Sequence, residues 1–194
     1  MSRKYTTRTQ QALQDAQAEA IRREHQEIQP EHLFYALVGG RDNPDAGDVV
    51  PNLIQSLGVD LSDFKSRIEK LLSSFARVSG GNGEVYASGA LNRILVLADD
   101  QARALKDEYL SGEHFMLAVL SAQCRATEMG RLFGAAGVTE AKVRAAIENI
   151  RGGRQIQDEN HEGKFKVLEK YCKDLTALAR QQKLDPVIGR DEEI

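Results

Sequence analysis

The chain has 194 residues, a formal net charge of −3 and an apolar fraction of 41%. This is enough for one ordinary domain and part of another. The mildly acidic balance argues against nucleic acid as the main partner, because a phosphate-tracking surface carries a basic excess. No apolar run approaches the roughly 18 residues that span a bilayer, and Met1-Ser2-Arg3-Lys4 leads into polar residues rather than an apolar signal region. The expectation is a cytoplasmic protein with neither a membrane nor a nucleic acid as partner. Cys124 and Cys172 lie far apart, without metal-ligand spacing, and read as reduced thiols. Pro is scarce, and Ala, Leu, Glu, Gln, Lys and Arg dominate, which favours helix throughout.

In chain order, Thr6 is placed to cap a first helix, whose Thr9, Leu13, Ala16 and Ala20 recur at helical spacing. Pro30 suits the first position of a second helix carrying Leu33, Ala36 and Leu37, which Gly39-Gly40 ends. A polar loop over residues 41–47 leads to a short helix around Leu53, Ile54 and Leu57, closed by Gly58. Asp60 caps a fourth helix with Leu61, Phe64, Ile68, Leu71 and Leu72. The stretch 79–83 reads as a flexible connection. The plan then repeats. Ser88 caps Leu91, Leu95, Ala98 and Ala102; Ser111 precedes Glu113-His114-Phe115; Leu132-Phe133 lead to Gly137; and Thr139 caps Val143, Ile147 and Ile150.

The second half is a copy of the first. Leu13 and Leu95, Ile28 and Leu110, His32 and His114, and Ala36 and Ala118 all stand 82 residues apart. Further on, Leu53 and Leu132, Gly58 and Gly137, and Ile68 and Ile147 stand 79 apart, so a three-residue difference falls in a loop. The fold expected is all-α: two tandem four-helix repeats, about 5–75 and 87–151, packed about a pseudo-two-fold axis into a domain over 1–151. One unit alone buries little surface, whereas two make a credible core. Residues 152–163 read as a flexible linker, followed by a ninth helix with Phe165, Leu168, Cys172, Leu175 and Ala179 on one stripe. The chain closes on Leu184-Asp185-Pro186-Val187-Ile188-Gly189-Arg190, in mid-element.

That closing segment, together with the doubled repeat, resembles the Clp family of AAA+ protein-remodelling ATPases. Ala12-Leu13, Ala16, Ala20 and Pro30-Glu31-His32-Leu33 with Ala36-Leu37 look like its double amino-terminal repeat, and residues 164–194 look like the start of its first ATPase module. Lys170-Tyr171 with Asp174-Leu175-Thr176 is most similar to the disaggregating, ClpB-type branch. The resemblance implies a substrate-capturing domain on an ATP-driven homohexameric ring that binds unfolded or aggregated polypeptides and works with the DnaK chaperone system. An alternative is a docking domain for adaptors or substrates on an unfoldase that feeds a protease. It implies a substrate groove at Leu91, Leu95, Leu97 and Leu110, with polar positions at Thr6, Asp107 and Glu113. ATP and Mg²⁺ would belong to the longer protein, where Val187, Ile188 and Gly189 would line the adenine pocket. No Gly-rich loop followed by Lys-Ser/Thr occurs in the 194 residues, so neither a catalytic residue nor a resident cofactor is expected.

Each of these residues has a plainer reading beside it. Thr6 is also a helix cap, Glu113 also favours the dipole of its helix, and Asp107 also reads as a solvated loop acid. Leu91, Ile94, Leu95 and Ala98 account for the buried face of the fifth helix, so Val96 and Leu97 lie off its centre, and the apolar run Ile94 to Ala98 faces either another helix or a partner. The repeated His32 and His114 suggest a metal pair, but duplication explains their recurrence, and no metal is expected.

Overall fold

The computed structural model describes residues 4–41, 49–78 and 85–160. The connection at 79–83, most of the loop 41–47, the ninth helix, the closing segment and Val187, Ile188 and Gly189 lie outside the described residues. Within residues 4–160 the first copy comprises β1 (Lys4–Tyr5), α1 (Thr7–Arg22), β2 (Glu27–Ile28), α2 (Pro30–Leu37), α3 (Val49–Ser56) and α4 (Leu61–Ser74). The second comprises β3 (Tyr86–Ala87), α5 (Gly89–Ala104), β4 (Tyr109–Leu110), α6 (Gly112–Leu120), α7 (Glu128–Ala135) and α8 (Glu140–Arg151). Thr7 and Gly89, which open α1 and α5, stand 82 apart; Val49 and Glu128, like Leu61 and Glu140, stand 79 apart. The three-residue difference therefore sits between α2 and α3, in a loop as expected.

Local chemistry sets the boundaries. The side chains of Thr6, Asp60, Ser88 and Thr139 accept from the backbone N–H three residues on, satisfying donors that the first helical turn cannot pair. Thr127 does the same for α7, a cap not read from the sequence. Pro30 opens α2, where its missing N–H costs nothing. Glu24 and Lys106 occupy equivalent turns after α1 and α5, both at φ 60, a conformation that a non-glycine residue adopts only at a cost. The same strained turn has been kept in both copies.

α2 and α6 are buried along their whole length and form the axis of the domain. α1 packs on α2 and α5 on α6, while α2 meets α5, α3 meets α6 and α8, and α4 meets α7 across the two copies. Phe133 joins the halves, its ring 5.3 Å from Phe34 and 4.8 Å from Phe64, with all three side chains excluded from solvent. Burying each such ring contributes about 1.5–3 kcal/mol. Gly130 in α7 lies so close to the preceding turn that a Cβ would sit 2.6 Å from the Cys124 carbonyl oxygen and the Arg125 Cα.

The four short strands were not anticipated. β1 pairs in parallel with β4, Lys4 opposite Tyr109 and Tyr5 opposite Leu110. β2 pairs in parallel with β3, Glu27 opposite Tyr86 and Ile28 opposite Ala87. Each repeat lends its entry strand to the other, and adding 82 to the first-copy residue of a pair while subtracting 82 from its partner turns one register into the other. This exchange is the pseudo-two-fold axis written in hydrogen bonds.

Residues 153–160 also differ from expectation. Rather than leaving as a free linker, this stretch runs along the β1–β4 seam with Ile156 fully buried. The Ile156 carbonyl accepts from Glu108 N–H at 2.9 Å and from Tyr109 N–H at 3.4 Å, and the Glu159 carbonyl accepts from Thr7 N–H at 2.9 Å. The signal was a single isoleucine in an otherwise polar stretch.

Candidate functional site

α5 carries the apolar side chains Leu91, Ile94, Leu95, Val96 and Leu97, and they have different fates. Leu91 and Ile94 are buried in the core; Leu95 and Leu97 are half-buried against it. Val96, between them, is 64% exposed and stands among the few large apolar side chains turned to solvent. Leu97 and Val96 line a shallow depression of about 480 Å³ with Gly89, Asn92, Arg93 and Gln123. The flank of α5 thus offers an apolar floor with a polar rim that includes one cation. Spacing places both Val96 and Leu97 off the centre of the buried face, but Val96 was not among the expected groove residues, and packing shows it to be the more exposed of the two.

The remaining expected residues lie in another place, at the β1–β4 seam and beneath it. Leu110 is buried, and its carbonyl accepts from Thr6 N–H at 3.0 Å. Thr6 is itself buried, its hydroxyl accepting from Thr9 N–H at 3.3 Å and donating to Thr9 Oγ1 at 3.0 Å, so its capping role is structural. Asp107 is not a solvated loop acid: it is 3% exposed. His114 Nε2 donates to Asp107 Oδ2 at 2.9 Å, Arg151 Nη1 to the same oxygen at 2.7 Å, and Ile156 N–H to Oδ1 at 2.7 Å. Arg151 also pairs with Glu113, which is 1% exposed. Burial alone would raise the Asp107 pKa, but the bonds from His114, Ile156 and Arg151 outweigh it and hold the carboxyl below its usual range. Charge burial is tolerated here because every charge has an opposite or a donor beside it.

The first copy solves the same position differently. His25 stands where the second copy has Asp107, and its Nδ1 lies 2.8 Å from Nε2 of His32, both rings being buried. Gln29 N–H donates to His32 Nδ1 at 2.9 Å, so the neutral ring carries its proton on Nε2 and donates it to His25. Phe75 packs edge-on against His25, with ring centroids 5.6 Å apart. Burial, then the neighbouring His25, pushes the His32 pKa down to about 4. Burial, reinforced by Arg23 and Arg77, also lowers that of His25. Glu31, the counterpart of Glu113, has its pKa raised by burial, and Leu72 stands where the second copy has Arg151.

Nothing in these two clusters constitutes a reaction centre. The histidines act as helix caps and core bonds, and among the described residues no group of three His, Cys, Asp or Glu is arranged to hold a metal ion. Burial raises the pKa of the Cys124 thiol, which keeps it protonated and a poor nucleophile. No helix of the described residues is long and apolar enough to cross a membrane.

With the duplicated architecture and its seams in view, comparison with known proteins decides the family. The model of the Clp repeat (R) N-terminal domain matches residues 4–129. The chain belongs to the Clp repeat N-terminal domain family. A chaperone protein ClpB from Vibrio vulnificus strain YJ016 is 40% identical over 191 residues, 98% of this chain and 21% of the relative. The chain thus spans about a fifth of the length of the curated Clp relatives it matches. Among solved Clp N-domains, the Hsp104 N-terminal domain from Candida albicans superimposes with a TM-score of 0.69 at 18% identity, over 82% of this chain and 99% of that one. A complex of the ClpV N-domain with a VipB peptide superimposes with a TM-score of 0.54, also at 18% identity, over 75% and 85%. At such identities these likenesses bear on the fold, and they agree with an all-helical Clp N-domain.

Proposed function

We propose that this Clp N-domain captures exposed apolar segments of unfolded or aggregated polypeptides along the flank of α5, for an ATP-driven disaggregating chaperone. The observation that carries the reading is the exposed Val96 and the half-buried Leu97 lining a shallow depression, with the half-buried Leu95 next to them in the helix. An apolar side chain that the fold leaves in water on an ordered helix is available to a partner at no cost in rearrangement. The openness of the face, and a rim with one arginine, suit weak and promiscuous binding of extended chains rather than enclosure of a small molecule. The complex of a ClpV N-domain with a VipB peptide gives a precedent for a domain of this fold that binds a peptide.

In this reading the longer protein forms the homohexamer, holds ATP and Mg²⁺ and works with the DnaK system, while the domain raises the local concentration of client at the ring. Leu91 supports the floor from within rather than touching the client. The test is nuclear magnetic resonance mapping with reduced, carboxymethylated α-lactalbumin, a permanently unfolded probe. Shifts centred on Val96 and Leu97 are expected, and Val96→Glu should weaken binding at least fivefold while leaving the melting temperature in place. Binding that ignores Val96→Glu, or that maps to the first repeat, would overturn the assignment.

A further inference from the structure

Thr6, Asp107, Leu110 and Glu113 are buried in this domain, and Asp107 is met directly by the domain's own chain. Residues 153–160 engage the β1–β4 seam in the manner of an added peptide. Ile156 enters the core as an aliphatic anchor, its carbonyl accepts from Glu108 and Tyr109, and its N–H donates to Asp107. Three residues on, the Glu159 carbonyl accepts from Thr7 N–H at 2.9 Å and its carboxylate from Gln10 Nε2 at 3.2 Å. Main-chain hydrogen bonds with one side-chain pocket are how an extended peptide is usually bound at a strand edge.

We propose that residues 153–160 are an internal competitor for client, a strap that occupies the β1–β4 seam, a second seat separate from the α5 flank, and must lift before an extended segment can pair there. The proposal rests on the client-capture reading and adds regulation to it. It also names the class of segment that fits best: an extended chain with a branched aliphatic residue and an acidic residue three places later, as in Ile156 and Glu159. The flank of α5 stays open throughout, so clients bind weakly with the strap closed and more tightly with it lifted. A closed strap lowers apparent affinity by the fraction of molecules in which the seam is free.

Asp107 is the groove residue that meets the strap directly. Its carboxylate holds Ile156 N–H with one oxygen and is itself held by Arg151 and His114 with the other. The strap is therefore anchored to a buried ionic network, while its outward side chains, Arg154, Gln155, Gln157 and Glu159, are exposed. Such a contact, with a single apolar anchor, is poised to open.

The experiment uses the full chain carrying Ile156→Asp. Hydrogen exchange at the Thr7, Glu108 and Tyr109 amides should accelerate at least tenfold, and carboxymethylated α-lactalbumin should bind at least threefold more tightly, with new shifts at Leu110. A synthetic peptide spanning residues 153–160 should compete with the probe on the variant. Faster exchange with unchanged affinity overturns the strap while leaving capture on α5 intact. A probe that binds neither protein overturns both readings. If Ile156→Asp loses its cooperative melt, Glu159→Ala carries the same readouts, with about twofold changes expected; no change in affinity there overturns the proposal.

Discussion

At one structurally equivalent position the two repeats carry His25 and Asp107, and the consequences spread through each core. In the second repeat Asp107, His114, Arg151 and Glu113 form a buried ionic network. In the first, His25 bonds His32, Phe75 packs on both rings and Leu72 fills the place of Arg151. The backbone around them is the same, down to the φ 60 turn that precedes each. A Clp repeat therefore needs an acceptor for its buried histidine Nε2–H, and a second imidazole serves as well as a carboxylate. The partners differ in what they demand. A carboxylate needs a counter-ion, and Arg151 supplies it; a neutral imidazole needs none, and leucine suffices.

The comparison is broken most severely by exchanging its parts. Arg151→Leu installs the residue of the first repeat in the second and strands Asp107 and Glu113 beneath the surface. A loss of about 3–5 kcal/mol is expected for breaking a buried ion pair, read as a lower urea midpoint with an unchanged slope. Acid should separate the repeats next. Between pH 6.5 and about 4 the unfolded chain takes up a proton that folded His32 refuses, so stability falls as pH falls through that window. About 3 kcal/mol is at stake for a shift of this size. His25→Asp, which copies the second repeat, should flatten that acid limb in urea titrations run at pH 7 and pH 5.

Smaller effects sharpen the contrast. Pro51 and Gly130 are equivalent, the one a buried proline in α3, the other pressed against the Cys124 carbonyl. Gly130→Ala should cost about 1–3 kcal/mol by overpacking, with the loss appearing in the thermal melt. Thr6→Ala and Ser88→Ala remove matched caps and should each cost about 1 kcal/mol. Thr6 should cost the more, since its hydroxyl also reaches Thr9 Oγ1.

Most of the helical plan was legible because local chemistry sets it. Thr6, Asp60, Ser88 and Thr139 cap where their side chains allow, and the constant offset between copies exposed the duplication. The strands were not legible, since two residues carry no periodicity and their pairing depends on a partner in the other repeat. Asp107 was misread for a related reason. The groups that make its burial tolerable, Arg151 and Ile156, lie 44 and 49 residues away, beyond the reach of any local pattern. The flank of α5 was half visible: spacing placed Val96 and Leu97 off the buried face, but only packing shows that Val96 is the more exposed of the two.

The reciprocal pairing of β1 with β4 and β2 with β3 has a genealogical consequence. A lone repeat would own an entry strand with no ladder to join and a ladder with no entry strand, and a second identical copy would complete both at once. Two such molecules, each lending its first strand to its twin, would reproduce both seams of this domain. Tandem fusion would turn such a bimolecular association into an intramolecular one and free the halves to differ, as they do at His25 and Asp107.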